Sequence, residues 1–247
     1  MDRKAGRLEK FLETTRSDYW WASPLAVALG LGVFGLYSLW AAFQGEHYEW
    51  GPYLSPFYSP LIIVDWWKFS PAFLILWAPL GFRATCYYYR KAYYRAYFLS
   101  PPACAVGDAL PGKYSGETKF PFIIQNIHRY FMYIAVGFIV ILWIDVIHAF
   151  NFEGHFGMGL GTLVLFANTT ALSLYTFSCH SLRHLVGGRL NCFSKCGGKV
   201  QHEVWKGVSC LNERHMLFAW VSLFLVGFSD LYVRFVSMGI FSDVRFF

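Results

Sequence analysis

The sequence predicts an all-α integral membrane protein, a five-transmembrane-helix bundle with its N-terminus in the cytoplasm. Hydrophobic residues make up 56% of the 247 residues and charged residues only 15%, whereas soluble domains carry about 25% charged residues. Five apolar segments are long enough, at about 20 residues, to cross a bilayer as helices. The predicted spans are about 22–43, 70–90, 127–149, 158–180 and 214–238, within a single domain over residues 1–247.

The distribution of basic residues predicts the orientation. Segments 1–21, 83–129 and 180–214 contain 18 of the 21 lysine and arginine residues and lie on one side of the predicted bundle. Such segments stay on the cytoplasmic side of a membrane, so we expect a multi-pass protein of the cell's inner (plasma) membrane. The same distribution accounts for the net charge of +6. It fits contact with membrane lipid or an acidic partner rather than nucleic acid.

Local signals predict the elements in order. The first span follows "DYWWASP", whose aromatic residues suit a membrane interface, and the outer segment 45–67 is too rich in proline and aromatic residues to face lipid. The second span continues into "RATCYYYRKAYYRAYF" and ends at "SPPAC", because consecutive prolines cannot continue a helix. The short turn "NFEGHFGMG" joins spans three and four, and we expect an inner loop over 185–213 before span five.

Charged residues within two spans predict an internal ion pair near the outer side. Asp145 and Asp230 lie in spans three and five, and Arg234 follows Asp230 by one helical turn. Charged residues inside membrane spans usually face the bundle interior and pair with one another. We therefore expect Asp230 and Arg234 to form a buried pair.

Cysteine and histidine residues gather at one predicted depth near the inner ends of spans two to five. Cys86 and Cys179 lie there, and a reducing compartment disfavours a disulfide. His128 opens span three, His184 closes span four and His215 opens span five. Two histidines on facing helices could hold a b-type haem, whereas two cysteines and two histidines suit a Rieske-type [2Fe–2S] cluster. The cluster accounts for the cysteines, which a haem leaves without a role.

An aromatic outer segment supplies candidates for a quinone pocket. The motifs "SPFYSP" and "VDWWK" bring Tyr58, Asp65, Trp66 and Trp67 to the same predicted side of the membrane. An aromatic cleft with a few polar groups suits a quinone head group. An interfacial aromatic belt accounts for the same residues, so both interpretations stay open.

Several long motifs of unusual composition resemble a known family. "YLSPFYSP", "ATCYYYRKAYYRAYFLSPPACAV", "GETKFPFIIQNIHRYF", "SCHSLRHLVGGRLNCFSK" and "LNERHM" resemble the membrane-anchor subunit of actinobacterial-type succinate dehydrogenases. The resemblance covers nearly the whole chain and implies a membrane-anchor domain that binds a flavoprotein and an iron–sulfur subunit at the cytoplasmic face. It also implies succinate:quinone oxidoreduction, in which this chain passes electrons to quinone (menaquinone or ubiquinone) and does not itself oxidise succinate.

The resemblance favours a membrane-embedded Rieske-type [2Fe–2S] cluster over haem. The candidate ligands that it carries over are Cys86, Cys104, Cys179, His128, His184 and His215. Four of these six are expected to bind iron, and spacing alone does not identify which four. A haem b-bearing anchor of the same complex is the alternative, and the whole complex could form a homo-oligomer. A small-solute transporter is a weaker alternative, because few polar residues lie at mid-membrane positions.

Overall fold

The computed structural model of the protein describes residues 18–97, 120, 122–188, 191–194 and 198–247, and it is mostly helical. The apolar segments form helices because only a helix satisfies all of its own backbone hydrogen bonds in lipid. In chain order the helices are Ala22–Gln44 (α1), Ala72–Ile75 (α2), Trp77–Thr85 (α3), Tyr87–Tyr97 (α4), His128–His148 (α5), Leu160–Phe177 (α6), His180–Gly187 (α7), Gly198–Glu213 (α8) and His215–Ser237 (α9). A 3₁₀ helix over Phe122–Ile127 leads into α5.

Four helices in the described part of the chain have the length and composition that a membrane span requires. They are Ala22–Gln44, Ile123–His148, Leu160–Phe177 and His215–Ser237. They correspond to four of the five predicted spans. Helix α6 packs mainly against α9 and also against α5, which in turn contacts α3. The chain is therefore a multi-pass helical membrane protein.

Residues 70–90 do not form the single continuous helix drawn for span two. They are divided among α2, α3 and α4, with interruptions at Leu76 and Cys86. Pro79 explains the first interruption, because its ring nitrogen has no hydrogen to donate to the carbonyl group of Ile75. At the second interruption the backbone of Cys86 is extended, with φ −63° and ψ 129°.

The fourth span ends earlier than predicted, and the segment that follows it is largely helical rather than a loop. Helix α6 ends at Phe177, and Cys179 has an extended backbone with φ −62° and ψ 136°. Helices α7 and α8 then occupy much of the predicted loop over 185–213. Trp205 of α8 packs closely on Gly187 of α7, where an added Cβ would lie 2.4 Å from the indole ring. This tertiary contact favours helices that composition alone does not indicate.

Two short β-hairpins form, one within the outer segment 45–67, which is otherwise irregular as predicted, and one at the turn between α5 and α6. Strand β1 (Glu49–Trp50) pairs antiparallel with β2 (Tyr53–Leu54), and β3 (Asn151–Phe152) pairs antiparallel with β4 (His155–Phe156). Tyr53 and Phe152 pack with apolar residues of α5, α6 and α9 in one buried cluster. We refer to the end of the bundle that carries both hairpins as the hairpin end.

A buried ion pair links several segments at the hairpin end, and it confirms the pairing of Asp230 with Arg234. The guanidinium Nε of Arg234 donates to Asp230 Oδ2 at 2.7 Å, and both side chains are 0% exposed. Tyr37 of α1 donates to the same carboxylate, as does Ser55. Arg234 also donates to the carbonyl group of Ala41 at 2.9 Å. The pair therefore joins α1 and the loop after it to α9.

Contacts divide the described chain into two compact units. One contains the described residues 18–32 and 91–97, and the other contains those of 33–90 and 120–247. In the first unit the Tyr97 hydroxyl donates to the carbonyl group of Ala28 at 2.9 Å. The hairpins and the ion pair lie in the second unit. A single membrane-anchor domain over 1–247 stays a prediction.

Replacing Asp230 by asparagine tests the ion pair. Asp230→Asn keeps the shape of the side chain but leaves the guanidinium of Arg234 buried without a counter-charge. Breaking a buried pair in this way costs about 3–5 kcal/mol, so we expect the purified complex to lose this subunit at a clearly lower temperature. Fluorescence-detected size exclusion after heating measures that temperature. Asp65→Asn, at an exposed carboxylate, is the matched control, and an equal effect of both variants would contradict the prediction.

Gly161 tests the close packing of the hairpin end. A Cβ at this position would lie 2.4 Å from the ring of Tyr53, which is 1% exposed. The ring cannot turn away easily, because its hydroxyl donates to Asp243 Oδ2 at 2.7 Å. We expect Gly161→Ala to destabilise the subunit by about 1–3 kcal/mol, the usual cost of overpacking, in the same heating assay. Gly137→Ala has nothing within 4 Å of the added Cβ, so it should leave the midpoint unchanged or higher.

Candidate metal centre

Two short segments of the same residue pattern lie at the end of the bundle opposite the hairpins. Each has an aromatic residue, two further residues, a hydroxyl residue and a cysteine: "FRATC" ends at Cys86 and "YTFSC" ends at Cys179. Each cysteine interrupts a helical segment with an extended backbone. Their side chains are 4% and 1% exposed. The two helix breaks therefore place two buried thiols in the same structural setting.

His128, the first residue of α5, is held between the two segments. Its Nδ1 lies 2.8 Å from the hydroxyl oxygen of Thr85, and its Nε2 lies 3.1 Å from the thiol sulfur of Cys179. The ring of Phe82 stacks on the imidazole, with centroids 4.9 Å apart and planes 4° apart. The hydroxyl therefore fixes the orientation of the ring, and Nε2 is the nitrogen that faces a thiol.

His215, the first residue of α9, makes the same contacts with the two segments exchanged. Its Nδ1 lies 2.7 Å from the hydroxyl oxygen of Ser178, and its Nε2 lies 3.4 Å from the thiol sulfur of Cys86. The ring of Tyr175 stacks on this imidazole, with centroids 5.1 Å apart. Each imidazole thus meets the hydroxyl group of one segment and the thiol group of the other.

The structure brings four of the six candidate ligands together and leaves His184 apart from them. The contacts of His128 with Cys179 and of His215 with Cys86 join the four side chains at the two helix breaks. His184 is exposed on α7, and its Nε2 lies 2.9 Å from Nε2 of His180.

Cys104 lies outside the described residues. Partial burial lowers the pKa of His180 on α7, and the neighbouring His184 and Arg183 lower it further. The imidazoles on α7 therefore belong to a separate pair.

The candidate donor set consists of two thiols and two imidazoles. Among the residues that the structure describes, no group of three or more histidine, cysteine or acidic side chains is placed to hold a metal ion. A single ion would draw its ligands to within about 2 Å of one point. A Rieske-type centre divides two cysteines and two histidines between two irons. The donor set has that composition, it is largely buried, and a hydroxyl group orients each imidazole.

Sequence reasoning missed the residues that surround the donors. Thr85 and Ser178 carry the hydroxyl groups, and Phe82 and Tyr175 carry the rings that cover the imidazoles. Arg83, inside the first segment, places its guanidinium carbon 4.6 Å from the ring centre of Tyr175. The repeated pattern of aromatic, hydroxyl and cysteine residues could have predicted Phe82, Thr85, Tyr175 and Ser178.

The four quinone candidates differ in burial, and Trp66 packs edge-on against Trp67 with ring centroids 5.8 Å apart. Tyr58 is 0% exposed, and its hydroxyl donates to the carbonyl group of Ala41 at 2.9 Å. Asp65 and Trp66 are exposed, and the indole nitrogen of Trp67 donates to the carbonyl group of Ser70 at 3.1 Å. Their assignment to a quinone pocket stays a prediction.

The long apolar helices and the buried donor set define the class of the protein, a multi-pass membrane protein with a candidate metal centre at one end of its helices. The sequence over residues 22–239 matches the family described as actinobacterial succinate dehydrogenase subunit SdhC. The chain belongs to this family, and it is a membrane-anchor subunit of a succinate dehydrogenase complex. This assignment confirms the resemblance that the motifs indicate.

A solved structure is similar to the chain over almost its full length. It is the Mycobacterium smegmatis Sdh1 complex in the apo form, with 45% sequence identity and a TM-score of 0.84. The match covers 95% of this chain and 94% of the chain in that structure. No protein with a curated description matches the sequence.

Proposed function

We propose that this membrane anchor passes electrons from a soluble iron–sulfur subunit to quinone through a Rieske-type [2Fe–2S] cluster. The proposal rests on one observation. His128 contacts Cys179 and His215 contacts Cys86, so two histidines meet two cysteines that lie at separate helix breaks. Cys86, Cys179, His128 and His215 would hold the irons. When bound, such a cluster accepts and donates one electron at a time, which is the chemistry needed between a soluble iron–sulfur protein and a quinone.

The surrounding residues of the chain position these donors. Thr85 and Ser178 hold the Nδ1 atoms of the two histidines at 2.8 and 2.7 Å, which keeps each ring in one orientation. The aromatic rings of Phe82 and Tyr175 cover the imidazoles and keep water away from them. Orienting groups of this kind tune the affinity and the reduction potential of a metal site.

The same contacts favour a cluster over a haem. An axial histidine needs open space beside its coordinating nitrogen for the porphyrin plane. Here Nε2 of His128 lies 3.1 Å from Cys179, and Nε2 of His215 lies 3.4 Å from Cys86. A haem would have to displace both thiols and would leave them without a function.

The interrupted helical segment 70–90 supplies the fifth span in this proposal. Ser70, its first residue, donates to Tyr58 at the hairpin end at 3.1 Å, whereas Cys86 contacts His215 at the opposite end. Helix α9, which links these two ends, has 23 residues and is therefore about 34 Å long. The chain from Ser70 to Cys86 would be about 24 Å long as a helix, which crosses most of a hydrocarbon core about 30 Å thick.

Charge supports the orientation and the partners. We refer to the end of the bundle that carries Cys86, Cys179, His128 and His215 as the donor end. Helix α5 begins there at the end of the basic segment 83–129, and α9 begins there directly after the basic segment 180–214. The rule that basic segments stay inside places this end and the N-terminus at the cytoplasmic face of the inner membrane. A flavoprotein and an iron–sulfur subunit bound at that face would bring electrons to the donors by a short path.

Single substitutions of the four donors test the proposal in the assembled complex. We expect Cys86→Ser, Cys179→Ser, His128→Ala and His215→Ala each to remove a Rieske-type signal from the electron paramagnetic resonance spectrum of the reduced complex. About two iron atoms per complex should be lost with it. Quinone reduction should stop, while succinate oxidation by artificial dyes persists because the soluble subunits are unchanged.

An exposed cysteine and an exposed histidine provide matched controls. Cys210→Ser and His184→Ala change the same residue types in the same chain, and they should keep both the signal and quinone reduction, whereas Cys104→Ser tests the remaining candidate ligand. A signal that survives any of the four donor substitutions would remove that residue from the ligand set. A haem spectrum without a Rieske-type signal in the parent complex would reject the proposal.

A further inference from the structure

Arg83 is a cation in an interrupted membrane segment whose partners are all neutral. Its guanidinium donates to the hydroxyl groups of Tyr89 at 2.7 Å and Ser222 at 3.0 Å, and to the carbonyl group of Ala219 at 3.2 Å. Among the described residues, it forms no ion pair with a carboxylate. A charge at this depth normally pairs with an opposite charge. The arrangement therefore points to a negative group that the described part of the chain does not supply.

Tyr175 presents a second incomplete interaction at the same place. Its side chain is 1% exposed, and its hydroxyl makes no hydrogen bond to a nitrogen or oxygen atom of the described residues. The hydroxyl interacts electrostatically with the thiol of Cys86, and the tyrosine ring lies between His215 and the guanidinium of Arg83. Leaving a buried donor unpaired is unfavourable, so this hydroxyl also points to an acceptor at the donor set.

We propose that Arg83 and Tyr175 stabilise the electron that the cluster takes up, and thereby raise its midpoint potential. The inference rests on the proposed function: the cluster with two cysteine thiolates and two neutral histidines would be uncharged overall when oxidised and would carry one negative charge when reduced. One electron arrives from the soluble iron–sulfur subunit and adds one negative charge, and the same electron leaves to quinone. Arg83 supplies a fixed positive charge, and Tyr175 donates a hydrogen bond to the cysteine sulfur without losing its proton.

The exchanged halves of the site show why a tyrosine matters at this position. Phe82 occupies the corresponding place in the first segment and stacks on His128 as Tyr175 stacks on His215. Stacking on an imidazole thus needs only the ring. The hydroxyl of Tyr175 is the difference between the two stacking residues, and Tyr175→Phe removes that one group while it keeps the packing.

A redox titration of the purified complex, followed by electron paramagnetic resonance, tests the inference. Hydrogen bonds to charged groups are strong enough to change an equilibrium about tenfold, which is about 59 mV for a one-electron couple. We expect Tyr175→Phe to lower the midpoint potential by a shift of this order. Tyr133→Phe, at a tyrosine 46% exposed on α5, is the matched control and should leave the potential unchanged.

Substitutions of Arg83 separate charge from shape. We expect Arg83→Gln to lower the potential and Arg83→Lys, which keeps the charge, to stay closer to the parent value. Dye-linked succinate oxidation and the flavin content verify assembly of each complex. An unchanged potential in Tyr175→Phe would overturn this inference and leave the proposed function intact. Absence of any Rieske-type signal in the parent complex would reject the proposed function itself.

Discussion

A helix that is interrupted inside a membrane exposes backbone groups that lipid cannot satisfy, and the donor set of this protein depends on two such interruptions. At Cys86 the amide donates to the carbonyl group of Arg83 at 3.1 Å, and at Cys179 the amide donates to that of Thr176 at 3.3 Å. The carbonyl groups of both cysteines accept from residues four positions later. Because the backbone stays hydrogen-bonded at both breaks, each segment can leave its helix and bring its cysteine to a histidine, Cys86 to His215 and Cys179 to His128.

The polar groups at the two ends of the bundle differ in how completely they are paired. At the hairpin end, the carboxylate of Asp230 and the guanidinium of Arg234 find all their partners within the chain. At the donor end, the hydroxyl of Tyr175 has no nitrogen or oxygen partner, and Arg83 lacks an opposite charge among the described residues. A paired network stabilises a fold by itself, whereas unpaired buried groups favour the binding of a further group. The contrast between the ion pair and these two side chains supports the proposal that a group binds at the donor end.

The sequence predicts four of the spans well because hydrophobic length alone specifies a membrane helix. The ion pair of Asp230 and Arg234 was equally accessible, since one helical turn separates the two residues. The two interruptions of the second span differ. Pro79 signals the first one, whereas nothing in the local sequence marks the extended backbone at Cys86. The roles of Thr85 and Ser178 were not predicted, because cysteine and histidine are the residue types expected to bind iron. Their role appears when the three-dimensional structure joins each to a distant histidine.

The histidines of "SCHSLRH" show why spacing alone misleads. His180 and His184 stand four residues apart, so they share one face of α7 and contact each other at 2.9 Å. The structure instead joins His128 to Cys179 and His215 to Cys86, across sequence separations of 51 and 129 residues. No local pattern encodes such pairs, because they exist only when α3, α5, α6 and α9 pack correctly. A metal centre at these residues, as proposed, would form only in the folded bundle and would couple metal binding to assembly of the membrane domain.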